Sequence, residues 1–296
     1  MKRILLGLVL VLFALPLQAG RGPGAVRKTI ESSMLVTGLI EVDENGGVTN
    51  VELDRPGELP EGIRGFVPRN MIEWKFAPTL LNGVPVALRN RFGVRLVAHK
   101  QENGNFNVRI ASARFDPIAK AKEDQDQQTT ERLGSAMTPP VFPPSAQKAG
   151  AEATVYLLLK VGADGTVHEV ATEQVNLYFV AGANVMDKWR KLFADNSMRA
   201  ARGWRFPADF HPALATDPEG RKYWVSRVPV DYRFNDSPEP AYGQWETYVP
   251  GPWTRAPWQT LPDMPAFRPD ALAAGGVYPL GGDEEGLRLL TPLQDG

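Results

Sequence analysis

The 296-residue chain contains no cysteine, which excludes disulfides, thiolate chemistry and lipoprotein acylation together. Histidine is nearly absent: His99, His168 and His211 are the only three, and they stand far apart. There is no His-Glu-x-x-His pair, no Gly-x-Ser-x-Gly elbow and no glycine-rich phosphate loop after a strand. The sequence signatures of zinc peptidases, serine hydrolases and nucleotide-binding enzymes are therefore missing. Charge of one sign is lacking too. With 33 basic and 34 acidic residues the net charge is −1, so no overall attraction to nucleic acid or anionic lipid is expected. These absences point to a non-enzymatic protein with no catalytic residues, no metal and no cofactor.

Long apolar runs are also scarce. The only one, Ile4 to Leu17, follows Lys2 and Arg3 and runs into Leu17-Gln18-Ala19. Its 14 residues would reach about 21 Å as a helix, short of the roughly 30 Å hydrocarbon core of a bilayer. A basic start, a short apolar stretch and a small-residue ending are the marks of a secretory signal. Residues 1–19 are thus expected to be a cleaved signal peptide that delivers the chain to the periplasm. The alternative is an uncleaved segment that anchors it in the inner membrane, facing the periplasm. Cleavage would leave 296 − 19 = 277 residues and a charge of 31 − 34 = −3.

What the chain does have is a pattern that occurs twice. An apolar run breaks at a tight turn, Asp43-Glu44-Asn45-Gly46 in the first copy and Gly162-Ala163-Asp164-Gly165 in the second. A Trp-basic-Phe triplet follows, Trp74-Lys75-Phe76 and Trp204-Arg205-Phe206, and then a β-rich run ending in Val94-Arg95-Leu96 or Tyr232-Arg233-Phe234. Apolar runs around Asn-Gly and Asp-Gly turns predict hairpins. These turns lack the spaced carboxylates of a calcium loop. Pro68 to Trp74 predicts a short helix with proline in its first turn, placing Val67, Met71 and Trp74 on one face. Val84–Ala98 reads as a strand, turned back at Gly104 into Phe106–Phe115. In the second copy Asn184–Arg202 is helical, with Asp195-Asn196-Ser197 as a candidate break. Trp74 and Trp204 read as core residues pinning helix to sheet rather than as ligand-stacking groups.

Composition divides the chain into a signal peptide at 1–19, a first domain at 20–118 and a polar linker at 119–138. A second domain at 139–235 and an irregular tail at 236–296 follow. The linker lacks the apolar residues to pack a core. The tail carries ten prolines together with Trp245, Trp253 and Trp258, and its acidic run Asp283-Glu284-Glu285 is expected to be solvated. The fold class expected is α+β, two tandem small domains, each a three-stranded antiparallel sheet packed by a helix.

A hairpin, a helix ending in Trp204-Arg205-Phe206-Pro207-Ala208 and a strand closing with Val228-Pro229-Val230-Asp231-Tyr232-Arg233-Phe234 resemble the C-terminal domain of the TonB energy-transducer family. The lead-in Pro140-Val141-Phe142-Pro143-Pro144-Ser145-Ala146 is similar to the opening of that family, with Phe for Tyr. The resemblance covers roughly residues 139–235, and a divergent first copy matches over 34–97. It implies a periplasmic protein that grips an extended peptide from an outer-membrane receptor by adding it to a sheet edge. The uncleaved anchor and long proline-rich spacer of an energy transducer are not evident, which favours binding over force transmission. Energy transduction for TonB-dependent transport remains the alternative.

The binding edge implied by the resemblance is Trp224, Val225, Ser226, Arg227, Val228, Val230, Asp231, Tyr232, Arg233 and Phe234. Pro229 within this strand removes a ladder donor and predicts a sheet edge. The partner expected is a protein, either an outer-membrane TonB-dependent receptor or another envelope protein. Sheet edges would also allow a homodimer. Nucleic acid is not expected despite the basic-aromatic mixture from Arg221 to Arg233, because the exported chain is slightly acidic. A purely structural role would follow if the tail or the other repeat blocked that edge.

Overall fold

The computed structural model describes residues 22–101, 106–117, 137–207, 214–216, 220–234, 240–259, 267–273, 275–280 and 287–293. The expected signal peptide, the linker up to residue 136, His211 and the acidic run at 283–285 lie outside the described residues. No helix among the described residues is long and apolar enough to cross a membrane.

The protein is mixed α+β, with antiparallel sheets. After a short helix α1 (Pro23–Arg27), the first sheet is built from β1 (Glu31–Val42), β2 (Val48–Leu53), β5 (Leu88–Lys100) and β6 (Phe106–Pro117). β1 pairs with β2 through the Asn45-Gly46 turn and with β5 on its other side, and β6 follows β5. The second sheet repeats this order with β7 (Ala153–Gly162), β8 (Val167–Leu177) and β10 (Lys222–Tyr232). Among the described residues each of these sheets has five strands rather than the expected three. β6 extends the first. The two-residue β9 (Ala215–Thr216) joins the second, and the tail adds β11 (Glu246–Tyr248) to β1 and β12 (Tyr278–Leu280) to β10.

Side-chain periodicity explains the layers. Along β1, Met34, Val36, Ile40 and Val42 enter a core shared with Val94, Leu96, Trp74 and Phe76. β7 is buried on both faces. Leu157 and Leu159 join the helix-side core, while Leu158 packs with Val225 and Ala256 on the opposite side. That double burial accounts for its continuous apolar run.

Two helical expectations shift. The helix of the first copy, α2, spans Glu61–Met71, so Pro68 lies inside it rather than in its first turn. Pro60, with ψ 141, is the N-cap, and the earlier start buries Ile63 beside Val67 and Met71. After α3 (Pro144–Ala149), the second-domain helix α4 (Ala183–Ala201) runs without a break through Asp195-Asn196-Ser197. Tertiary partners hold two of these side chains: Ser197 Oγ lies 2.7 Å from the Tyr232 hydroxyl, and Asn196 Nδ2 donates to Val141 O at 2.7 Å. The segment after Pro78 is also subdivided. A small hairpin, β3 (Leu80–Leu81) with β4 (Val84–Pro85), precedes β5 and exposes Leu80, Leu81 and Val84.

The described part of the tail is strapped across both sheets. Tyr242 donates to Thr37 O at 3.1 Å, β11 pairs with the start of β1, and the next residue, Val249, exchanges backbone bonds with Leu177 at the end of β8. Further on, Leu287 and Leu289 enter the first core, and Leu290 donates its N–H to Lys75 O at 2.8 Å.

Candidate functional site

β10 pairs with β7 along its whole length, from Tyr223↔Gly162 to Tyr232↔Ala153. Its other side carries β9 at Lys222 and Tyr223, and β12 at Val225, Ser226 and Arg227. Among the described residues no strand pairs with Val228–Tyr232 on that side. The strand expected at the sheet edge is therefore second from it where β12 covers it, and pairing with β12 stops two residues before Pro229. A missing N–H is tolerated where one side of a strand is unpaired.

The expected site residues divide between the two faces of the sheet. Trp224, Ser226, Val228, Val230 and Tyr232 are buried, and Trp224 meets Phe206 edge-on at 5.1 Å. Val225 belongs to the cluster on the opposite face. Arg227 on that face makes a bidentate bond to Glu173, with Nε and Nη2 at 2.6 and 3.0 Å, and lies 4.1 Å from the Phe267 ring. Side-chain exposures of 4 % and 0 % make this a fully desolvated pair. Asp231 accepts from Thr154, and Arg233 pairs with Glu246 and lies 4.0 Å over the Tyr178 ring. Phe234 stacks on Phe142 at 4.9 Å, and its N–H donates to Glu152 at 2.7 Å. These side chains thus serve the core and the seam between sheet and tail. Val225 contributes instead to the apolar cluster with Leu158 and Ala256.

Two cavities lie where the sheets and the tail meet. One, of about 250 Å³, is lined by Arg95, Tyr156, Tyr178, Asp231, Arg233, Glu246 and Asp270. The other, of about 680 Å³, shares Arg95 and Asp270 and adds Trp253, Arg109 and Gln174. Arg95 is buried and bonds Glu31 at 2.7 Å, with Asp270 at 3.5 Å. Burial pushes the Tyr156 hydroxyl well above its usual range, and nearby Tyr178, Asp270 and Asp231 add to the shift. Burial also raises Tyr178 and Glu246, in the latter case against the pull of Arg233. Arg95, Arg233 and their carboxylate partners are paired with one another in this seam, an arrangement suited to holding the sheets and the tail together. Among the described residues no group of three or more His, Asp and Glu is placed to hold a metal ion.

Sequence reasoning did not find Glu173, Asp270 or β12. Glu173 lies 54 residues from Arg227 and reaches it across β7, with no local signal. Comparison of the chain with protein-family models, with characterised protein sequences and with solved structures finds no match.

Proposed function

We propose that the protein is an exported, non-enzymatic binding protein with two tandem TonB C-terminal-like domains. It recognises an extended protein segment by adding it as a strand to the edge of β10. One observation carries this reading. β12, a segment from the far end of the chain, lies antiparallel on Val225–Arg227, in the manner by which an extended peptide gains affinity through main-chain pairing. The partner would be an outer-membrane TonB-dependent receptor or another envelope protein, met in the periplasm after removal of residues 1–19.

Two measurements test it. The N-terminus of the exported protein is expected near Gly20. Extended peptides selected against the full chain should slow amide exchange along Val225–Tyr232. Protection confined to another edge, such as that of β6, would falsify the assignment to β10.

A further inference from the structure

We infer that the β10 edge recognises an aromatic–proline–aliphatic sequence, and that Tyr278-Pro279-Leu280 fills the site in cis as a stand-in for the same motif on a partner. This rests on strand addition at β10 and names what is added.

The seated segment displays the chemistry of the site. Leu280 packs into the cluster formed by Leu158, Val225, Ala256 and Trp258, so that position calls for an aliphatic side chain. The Tyr278 ring lies 4.6 Å from the guanidinium of Arg114, which belongs to β6 of the first sheet. An arginine over an aromatic face contributes attraction that an aliphatic residue cannot supply. Recognition at this position therefore draws on both sheets. Pro279 stands opposite Ser226 and is exposed. Its ring fixes φ near the extended range and lowers the entropy lost on binding.

The same segment is built to leave. Its register with β10 covers three residue pairs, against ten between β10 and β7. Gly275-Gly276 and Gly281-Gly282 bracket Val277–Leu280 in the sequence, and glycine loses more conformational freedom on ordering than any other residue. A short strand between such flanks is held by few bonds at a high entropic cost. A partner carrying the motif in a stiffer context has the advantage over it.

The test uses the full chain and the labelled peptide Gly-Gly-Val-Tyr-Pro-Leu-Gly-Gly, read by fluorescence anisotropy. The unaltered chain is compared with Tyr278→Ala/Leu280→Ala, with single Leu280→Ala as a second variant if the double one does not fold. A cis segment seated about 90 % of the time lowers apparent affinity about tenfold, so the variants should bind the peptide about tenfold more tightly than the unaltered chain. A control peptide with Ala for Tyr and Leu should bind weakly, and Val225→Asp in the same variant should abolish binding. If both peptides bind a folded variant equally, strand addition stands and the motif is overturned. If neither binds, both fall. Equal affinity for variant and unaltered chain overturns occupancy in cis. A chain that dimerises without taking up peptide overturns the inference in favour of segment exchange between copies.

Discussion

Phe206 donates its backbone N–H to the carbonyl of Gly165 at 2.8 Å, and Phe76 makes the same bond to Gly46 at 2.8 Å. In both copies the hairpin turn is thereby fastened to the triplet that follows the helix, and the repeat is a contact as well as a spacing. Each turn glycine has positive φ, 82° at Gly46 and 78° at Gly165. A Cβ at either would overlap the phenylalanine carbonyl oxygen. Gly165→Ala is expected to cost at least about 2 kcal/mol from the left-handed backbone and the lost approach together. Urea unfolding of the variant checks this, and an unchanged midpoint would mean that the turn can move away from Phe206.

Trp204→Ala should destabilise by about 3–5 kcal/mol as a large-to-small core change. The indole is 3 % exposed, and its Nε1 donates to Thr138 O at 2.8 Å. A melting temperature untouched by the substitution would place the ring outside the core.

Glu173→Ala leaves the Arg227 guanidinium buried without its carboxylate and should cost about 3–5 kcal/mol. Replacing both, as Glu173→Leu/Arg227→Met, should recover most of that loss, because the pair gives back much of its Coulomb gain in desolvation. Equilibrium unfolding of the single and double variants separates the two. A double variant as unstable as the single one would show that the ion pair itself carries the stability.

Asp164 is held below the usual carboxylate range by the Thr166 backbone N–H at 3.0 Å, with the Thr166 hydroxyl at 2.8 Å adding to it. A carboxyl depressed in the folded state contributes stability that is present above its unfolded value, about 3.9. That contribution is lost as pH falls through the lower folded value. Acidification below about pH 4 should therefore loosen the second hairpin turn, seen as faster exchange of the Thr166 amide. Asp164→Asn should remove that pH dependence.

The hairpins, the long helix of the second domain and the two core tryptophans were legible because each carries a strong local signal. Asp-Gly and Asn-Gly require the backbone that the turns adopt, and Met186 and Phe193 keep to one buried stripe. The start of α2 was hidden because Gly62 and Gly65 are poor helix formers, and burial of Ile63 decides the matter instead. The continuity of α4 through Asn196 and Ser197 depends on Tyr232 and Val141, distant residues that no window on the helix contains. At the candidate site, the sequence marked β10 through Pro229 but could not reveal its cover. Strands of three residues, as in β11 and β12, are too short to show a period.

Leu287 and Leu289 are 3 % and 5 % exposed within the first core, and Leu289 bridges to Phe76. Residues late in the sequence thus seal the core of the first sheet. A nascent chain has made every strand from β1 to β6 well before the pieces that close their core exist. The first sheet therefore cannot complete its core ahead of these later residues, as domains in tandem usually do during synthesis. Completion of the first core thus waits on the emergence of Leu287 and Leu289.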